Sequence, residues 1–331
     1  MGTSGTSSQY SSSAFLQPRS CMNIIAVLII FTLLNSIIPV HGESEKHIPV
    51  TSRFQTINFY NGYSNLWGPQ HQQVSEDESS TTIWLDSSSG SGFKSLEAYK
   101  SGFFSAAIKL QAGYTAGVIA ALYLSNNQEY PGHHDEIDIE FLGTTPGKPY
   151  TLQTNVYING TGDGQVLTGR ELKFHLWFDP TEDFHNYSLL WTPSYIIFYV
   201  DDIAIRKYPR RISSTYPLRP LWVYGSIWDA SSWATENGKY RADYRYQPFV
   251  AKFSKFILSG CPVSDSTCSA TFSNSLISTG TGGLTSQERS RMKSIQTNNL
   301  VYNYCKDRER YPTRLPECGK RYAPSLINGN D

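Results

Sequence analysis

The chain has 331 residues, which is enough for one large domain or two ordinary ones and for a full active-site cleft. Lys plus Arg and Asp plus Glu both number 28, so no overall positive field attracts nucleic acid, and a nucleic-acid partner is excluded. Charged residues make up only 17% of the chain and aromatic residues 14%. This composition suits a neutral ligand with hydroxyl groups and apolar faces, as sugars have.

Residues 1–42 have the plan of a secretory signal peptide. A mostly apolar run extends over residues 24–40, Arg19 precedes it, and no acidic residue occurs before Glu43. Small or modest residues at positions 40–42 predict cleavage before Glu43. An uncleaved membrane anchor is the alternative, but polar residues and a proline interrupt a run that is already short for a bilayer. We therefore expect a secreted protein without stable membrane association.

The pattern from Phe54 to Leu258 is that of an all-β protein. Short runs with β-branched or aromatic alternation are separated by Gly, Pro, Asn and Asp. The clearest predicted strands are residues 81–85, 103–110, 118–124, 151–158, 172–178, 196–200 and 203–208. The last two meet across Asp201-Asp202, a two-residue hairpin signal. So many strands need two packed antiparallel sheets, and we predict a β-sandwich over residues 43–260.

Residues 261–331 are predicted to form a C-terminal extension with a helix. After a stretch rich in Ser, Thr and Gly, the sequence Thr285-Ser286-Gln287-Glu288 makes a capping box. The helix would begin there, carry Met292 and Ile295 inward and run toward Asn299.

Five cysteines occur, and one of them, Cys21, lies in the signal region. In an exported protein the remaining four indicate two disulfides. Of the three possible pairings, the one that closes the shortest loops joins Cys261 to Cys268 and Cys305 to Cys318. A zinc site is the alternative, but neither pair has the internal spacing of a zinc knuckle. We expect no metal and no cofactor.

Two segments have the sequence of N-glycosylation acceptors. They are Asn159-Gly160-Thr161 and Asn186-Tyr187-Ser188. Asn159 and Asn186 are therefore candidate glycosylation sites.

The segment at residues 134–141 contains the candidate catalytic residues. Because side chains alternate across a strand, one face carries His134, Glu136, Asp138 and Glu140. Neighbouring acids on that face are ~7 Å apart, so they repel in a partly dry groove, and at least one should hold its proton to high pH. The Cα atoms of Glu136 and Glu140 are ~13 Å apart, and their side chains can lean together to the ~5–5.5 Å of retaining glycosidases. This spacing predicts a nucleophile and an acid without saying which glutamate attacks.

Two other interpretations of this segment stay open. In a charged edge strand, inward acids discourage aggregation. In a calcium site, the ligands would be Asp135, Asp138 and Glu140, although the sequence contains no EF-hand loop.

The predicted neighbouring strand, at residues 151–157, places three polar side chains on one face. Gln153, Asn155 and Tyr157 would supply amide and phenol hydrogen bonds beside the carboxylates. Alternatively, they pair with each other.

A second polar segment, residues 226–235, places Trp228 and Trp233 around Asp229. Tryptophan faces stack on pyranose rings, which indicates a sugar-binding role. The alternative is that the two rings cap the sandwich.

These residues resemble a known family. The sequence HDEIDIEFLG at residues 134–143 is similar to the catalytic strand of the plant xyloglucan endotransglucosylase/hydrolases of glycoside hydrolase family 16. Enzymes of that family are curved β-sandwiches of the jelly-roll type. The resemblance runs from about Phe54 to Cys318, with further landmarks at residues 152–156, 176–180, 184–187, 200–202, 226–235, 302–305 and 316–318.

The resemblance implies roles for the site residues. Glu136 would be the nucleophile, Asp138 its helper and Glu140 the acid/base. The cleft that binds the glucan backbone and its xylose branches would be lined by His134, Gln153, Asn155, Trp228, Asp229 and Trp233. The helix and the cysteine pairs are similar to the extension of the plant enzymes, which favours xyloglucan over other β-glucans. We therefore expect a monomer of the cell wall or apoplast, with xyloglucan as donor and a xyloglucan oligosaccharide or water as acceptor.

The segment at residues 162–171 departs from the typical transferase pattern. It looks longer, and it resembles the subgroup in which hydrolysis is common, so we expect substantial hydrolysis beside transfer. Many members also carry a sequon just after the catalytic strand, and none occurs between Phe141 and Tyr150. Two alternatives remain, a noncatalytic wall-binding protein on the same scaffold and an enzyme that acts on another β-glucan.

Overall fold

Antiparallel strands make up most of the protein. The computed structural model describes residues 49–160, 169–268 and 283–319. Its strands in these ranges are β1 (Tyr63–Trp67), β2 (Gln72–Val74), β3 (Ser80–Leu85), β4 (Ser91–Leu110), β5 (Val118–Ser125), β6 (His134–Leu142), β7 (Thr151–Gly160), β8 (Leu172–His175), β9 (His185–Trp191), β10 (Tyr195–Val200), β11 (Ile203–Pro209), β12 (Leu221–Asp229), β13 (Phe249–Pro262) and β14 (Leu300–Asn303). The α-helices there are α1 (Phe59–Gly62) and α2 (Ser286–Asn299). Short 3₁₀ helices occupy Thr51–Arg53, Pro69–His71, Ser213–Thr215, Tyr244–Tyr246, Tyr304–Lys306 and Pro316–Cys318.

Strand β4 connects two layers of sheet. The strands follow the order β11-β10-β9-β4-β12-β5-β6-β7-β8-β14, and β13 also pairs with β4. The first part of β4 pairs with β12, and its later part, from Gly102 to Ile108, pairs with β9. The ring of Phe141 on β6 meets that of Tyr187 on β9 edge-on at 4.6 Å, although these strands are not neighbours in the sheet. The predicted all-β sandwich is confirmed.

Most predicted strands lie where the alternation placed them. The hairpin turn at Asp201 and Asp202 is confirmed, and both residues have positive φ, 48° and 62°, as a type I′ turn requires. Strand β4 begins earlier than predicted, at Ser91. Strand β8 ends earlier, at His175, and the exposed Trp177 follows it.

The C-terminal helix begins at the predicted capping box. The Thr285 side chain accepts from the Glu288 backbone N–H, and the Glu288 carboxylate accepts from the Thr285 N–H. Met292 and Ile295 are partly buried against the hydrophobic core, as predicted. Gln296 of α2 donates to the Ile205 carbonyl on β11, which fixes the helix to the sandwich. Strand β14 then pairs with β8 and extends the sheet.

Disulfides join Cys261 to Cys268 and Cys305 to Cys318, in the pairing that closes the shortest loops. Strand β13 continues to Pro262, past the predicted domain boundary at residue 260, and the division into domains stays a prediction. The predicted signal peptide and most of the segment at residues 162–171 lie outside the described residues. Within the described ranges, no helix has the length and apolar character needed to cross a membrane.

Candidate active site

The segment with the three acids is strand β6, between β5 and β7 in the sheet. Its alternate residues are at most 1% exposed and pack into the core, namely Ile137, Ile139 and Phe141. The acids therefore occupy the opposite face. In register, Asp138 lies between Tyr123 of β5 and Asn155 of β7, and Gln153 of β7 lies opposite Glu140.

The three acids line two cavities on this face. The volumes of the cavities are about 670 Å³ and 290 Å³. The larger is lined by Asn127, His134, Glu136, Asp138, Glu140, Gln153, Tyr157, Glu171, Lys173, Trp228, Trp233, Asn237 and Arg310. The smaller is lined by Trp67, Ala121, Tyr123, Glu136, Asp138, Glu140, Ser226 and Trp228. Because both cavities include the acids, the acids lie midway along one groove with binding space on either side.

Hydrogen bonds hold the acids in position. The Gln153 Nε2 donates to Glu140 Oε2 at 2.6 Å. His134 Nε2 lies 3.5 Å from Glu136 Oε2, and the side chains of Asp138 and Glu136 share a hydrogen bond. Asp138 is 3% exposed, whereas Glu136 and Glu140 are half-buried. The middle acid therefore forms the floor of the groove, and the two glutamates reach its open space.

Burial and repulsion raise the pKa of two acids. Burial is the main cause for Asp138, whose pKa lies well above its usual range, and the charges of Glu136 and Glu140 add to it. Burial likewise raises the pKa of Glu140 to about 7. The hydrogen bond from Gln153 opposes this rise, and the charges of Glu136 and Glu171 reinforce it. The expectation that at least one acid keeps its proton to high pH is confirmed.

Aromatic rings border the acids. The rings of Trp228 and Trp233 lie 6.2 Å apart and are tilted by 51°, and Trp233 is 36% exposed. Tyr123 stacks on Tyr224 at 4.9 Å. Flat apolar faces next to polar groups match the two kinds of surface on a sugar ring.

Four of the six predicted sugar-binding residues line the groove, and two do not. His134, Gln153, Trp228 and Trp233 line it. Asn155 is 1% exposed, and its amide oxygen accepts from the backbone N–H groups of Val156 and Arg170, so it supports the groove from beneath.

Asp229 is the second residue that the structure does not bring to the groove. It follows Trp228 on β12, so alternation turns its side chain to the other face. There it accepts from the Tyr244 hydroxyl at 2.6 Å and from the Ser231 N–H at 2.8 Å. Asp229 thus lies outside the lining of both cavities, and its contact with a ligand stays a prediction.

Sequence reasoning missed three charged residues of the groove, Glu171, Lys173 and Arg310. Lys173 lies on β8, opposite Gln153 of β7, so its position followed only from the strand register. Arg310 comes from the C-terminal extension and pairs with Glu171 across 139 positions of sequence. No local pattern indicates a contact over such a distance.

A sandwich with three acids on one face of a groove, with the pKa of two of them raised by burial, is the arrangement expected of a glycoside hydrolase. Comparison with known proteins agrees. The profile of the Glycosyl hydrolases family 16 matches residues 59–246, and that of the Xyloglucan endo-transglycosylase (XET) C-terminus matches residues 271–318. The chain belongs to the xyloglucan endotransglucosylase/hydrolases of this family.

Two relatives from Arabidopsis thaliana illustrate the similarity. Xyloglucan endotransglucosylase/hydrolase protein 31 is 54% identical over 300 residues, which cover 89% of this chain and 100% of the relative. Probable xyloglucan endotransglucosylase/hydrolase protein 30 is 44% identical over 81% of this chain and 78% of the relative. Among solved structures, a Bacillus licheniformis β-glucanase is 21% identical, with a TM-score of 0.49 over 62% of this chain and 95% of that one.

Proposed function

We propose that this protein cleaves the β-1,4-glucan backbone of xyloglucan with retention of configuration and passes the donor chain to another xyloglucan end or to water. The observation that carries the proposal is the row of acids on β6, with Glu136 and Glu140 in the same groove and Asp138 between them. Retaining glycosidases need one ionised carboxylate and one protonated carboxyl at such a site.

In the first step, the Glu136 carboxylate attacks the anomeric carbon and the glycosidic bond breaks. Glu140 gives its proton to the leaving oxygen. In the second step, the ionised Glu140 takes the proton from an acceptor hydroxyl, whose oxygen bonds to the anomeric carbon and releases Glu136. A pKa of about 7 for Glu140 supports this double role, because such a group is both a proton donor and a proton acceptor near neutral pH.

The roles of the neighbouring residues follow from their contacts. Asp138 is hydrogen-bonded to Glu136 and would orient the attacking carboxylate. His134 and Gln153 would bind sugar hydroxyls, and Trp228 and Trp233 would stack on the rings. The proposal gives Asn155 a supporting role and leaves Asp229 out of ligand binding.

The same acids weigh against a noncatalytic wall-binding protein. A binding site gains nothing from a buried proton donor beside a second carboxylate, and such burial lowers stability at neutral pH. An endo-glucanase that acts on another β-glucan is the other alternative. The match of the extension to the xyloglucan endo-transglycosylase C-terminus favours xyloglucan.

The expected location is the plant cell wall. Two disulfides support an oxidising compartment, and the apolar segment before residue 43 supports export. Asn159 is exposed and available to a glycan, whereas Asn186 is half-buried within β9. We propose glycosylation at these sequons, and a monomer as the active form.

Product analysis tests the function. The protein is incubated with xyloglucan polymer, with and without a labelled xyloglucan oligosaccharide, and chain length and label incorporation are measured. We expect shorter chains in both reactions and labelled polymer in the second, with substantial cleavage by water. The control Glu136→Ala should fold normally and lose both activities. Unchanged polymer with the intact protein, or turnover by the variant, would refute the proposal.

A further inference from the structure

Two ion pairs join the C-terminal extension to residues 170 and 171, beside the groove. Arg310 donates from both Nη atoms to the two oxygens of Glu171, at 2.8 Å each. Arg170 Nε, next to Glu171 in sequence, donates to Glu317 Oε1 at 2.5 Å. Arg310 and Glu317 both lie in the segment that the Cys305–Cys318 disulfide closes. This segment is therefore fixed in place, and a two-point contact holds Arg310 against one carboxylate.

Glu171 and Arg310 are in the electrostatic surroundings of Glu140. Both line the cavity that contains Glu140. The register across three strands places Gln153 opposite Glu140 and Lys173 opposite Gln153, so these side chains form a row from β6 to β8. Glu171 precedes β8 directly and is 6% exposed, so solvent screens its charge poorly.

The charges that face Glu140 come from several elements. Strand β6 supplies two acids and a histidine, β5 and β7 supply tyrosines, and β8 and its entry supply one anion and one cation. With Arg310 from the extension, the titratable and charged groups of the two cavities are His134, Glu136, Asp138, Tyr123, Tyr157, Glu171, Lys173 and Arg310. Acids thus outnumber cations around Glu140, and loss of any one cation increases this imbalance.

We propose that Glu171 and Arg310 are positioning residues that act through Glu140. Arg310 neutralises the Glu171 carboxylate by a two-point ion pair, and this balance sets the pH at which Glu140 holds the proton it donates. The inference rests on the proposed acid/base role of Glu140. In this account the extension, besides closing the fold, adjusts the chemistry of the groove.

This charge balance predicts that removal of either partner of the ion pair shifts the pKa of Glu140, in opposite directions. Glu171→Gln removes an anion and leaves the Arg310 cation, so the pKa of Glu140 falls. Arg310→Gln removes the cation and leaves an uncompensated anion, so the pKa of Glu140 rises. Each shift should be on the order of half a unit to one unit. In the double variant, the pKa of Glu140 should return close to its value in the intact protein. Among the single variants, Arg310→Lys, which keeps the charge, should shift this pKa least.

The pH dependence of kcat/KM for xyloglucan measures these shifts. Glu140 must be protonated to act first as an acid, so the basic limb of the profile follows its pKa. We expect that limb to move to lower pH in Glu171→Gln and to higher pH in Arg310→Gln. A merely structural pair would lower activity in both variants without opposite movements of the limb, and this result would overturn the proposal.

A direct titration separates this inference from the proposed function. The carboxyl carbon of Glu140 is followed by NMR in ¹³C-glutamate-labelled protein without substrate, and its signal is assigned by its loss in Glu140→Gln. If Arg310→Gln unfolds, Glu171→Gln must still lower the pKa of Glu140, and a rise or no change would overturn the inference. If the titrations shift as expected while the intact protein leaves xyloglucan unchanged at every pH, the proposed function fails, and what stands is that the ion pair sets the pKa of Glu140.

Discussion

Asp138 is the most buried of the three acids on the groove face of β6, and its surroundings oppose ionisation. Its pKa is raised by burial first and then by the charges of Glu136 and Glu140. The folded protein therefore binds a proton on this residue more tightly than the unfolded chain does. By linkage, stability falls as pH rises above the usual pKa of an aspartate and continues to fall until the folded-state pKa is reached.

This linkage predicts that one substitution raises stability and lowers catalytic activity. Asp138→Asn keeps the shape and a hydrogen-bond donor for Glu136 and carries no ionisable group, so it should unfold at a higher temperature than the intact protein at pH 7. The advantage should shrink as the pH is lowered to about 3, below the usual pKa of an aspartate, where Asp138 is mostly protonated in both states. Turnover of xyloglucan should fall, because an amide in place of the carboxyl changes the electrostatic surroundings of Glu136 and Glu140. Thermal unfolding across this pH range measures the effect, and an advantage that does not grow with pH would contradict it.

The alternation of side chains predicted which acids share a face, because successive residues of a strand always point to opposite faces. The same rule explains why Asp229 does not line the groove, since this residue directly follows Trp228 and takes the other face. A tryptophan-rich segment indicated a binding surface, but composition alone could not say which of its members faces the groove.

At the scale of elements, the C-terminal segment between Cys305 and Cys318 carries both a stabilising bond and a groove residue. A disulfide stabilises mainly by restricting the unfolded chain, and this one closes a separation of 13 residues. It also holds the turn that presents Arg310. The Cys261–Cys268 disulfide closes a separation of seven residues, and neither of its cysteines lines the groove.

These two bonds form a matched comparison. Replacement of either cysteine pair by serine should lower the free energy of unfolding by about 2–3 kcal/mol, measured by urea denaturation. Loss of Cys305–Cys318 should also lower kcat/KM for xyloglucan, because Arg310 is no longer held against Glu171. Loss of Cys261–Cys268 should leave kcat/KM close to that of the intact protein. Equal effects of the two replacements on kcat/KM would argue against a link between the extension and the groove.

The capping box predicted the start of α2 because its two hydrogen bonds are local. The length of β4 was not predictable in the same way. Its first part, from Ser91 to Lys100, mixes buried and exposed positions without clear alternation, because it pairs with both β1 and β12. There, pairing with strands distant in sequence stabilises the extended conformation, which the local sequence does not indicate.

For the whole molecule, zero net charge conceals an uneven distribution. Acids concentrate on the groove face of β6, and the basic residues that offset them come from β8 and from the C-terminal extension. The fold class and the acids could be predicted from the sequence, since both depend on local periodicity. The Glu171–Arg310 pair could not, because only the closed sandwich brings together residues separated by 139 positions.

The central claim is that Glu136 bonds to the sugar while Glu140 transfers the proton. Intact-protein mass spectrometry followed by peptide mapping tests it, after reaction with a xyloglucan oligosaccharide fluoride that carries fluorine at C2 of the reacting sugar. Fluoride leaves without a proton donor, so Glu140→Gln should also be labelled, and Glu136→Gln should not. We predict one sugar adduct on the peptide that contains Glu136. An adduct on Glu140 instead, or no adduct together with products of inverted configuration, would contradict the account.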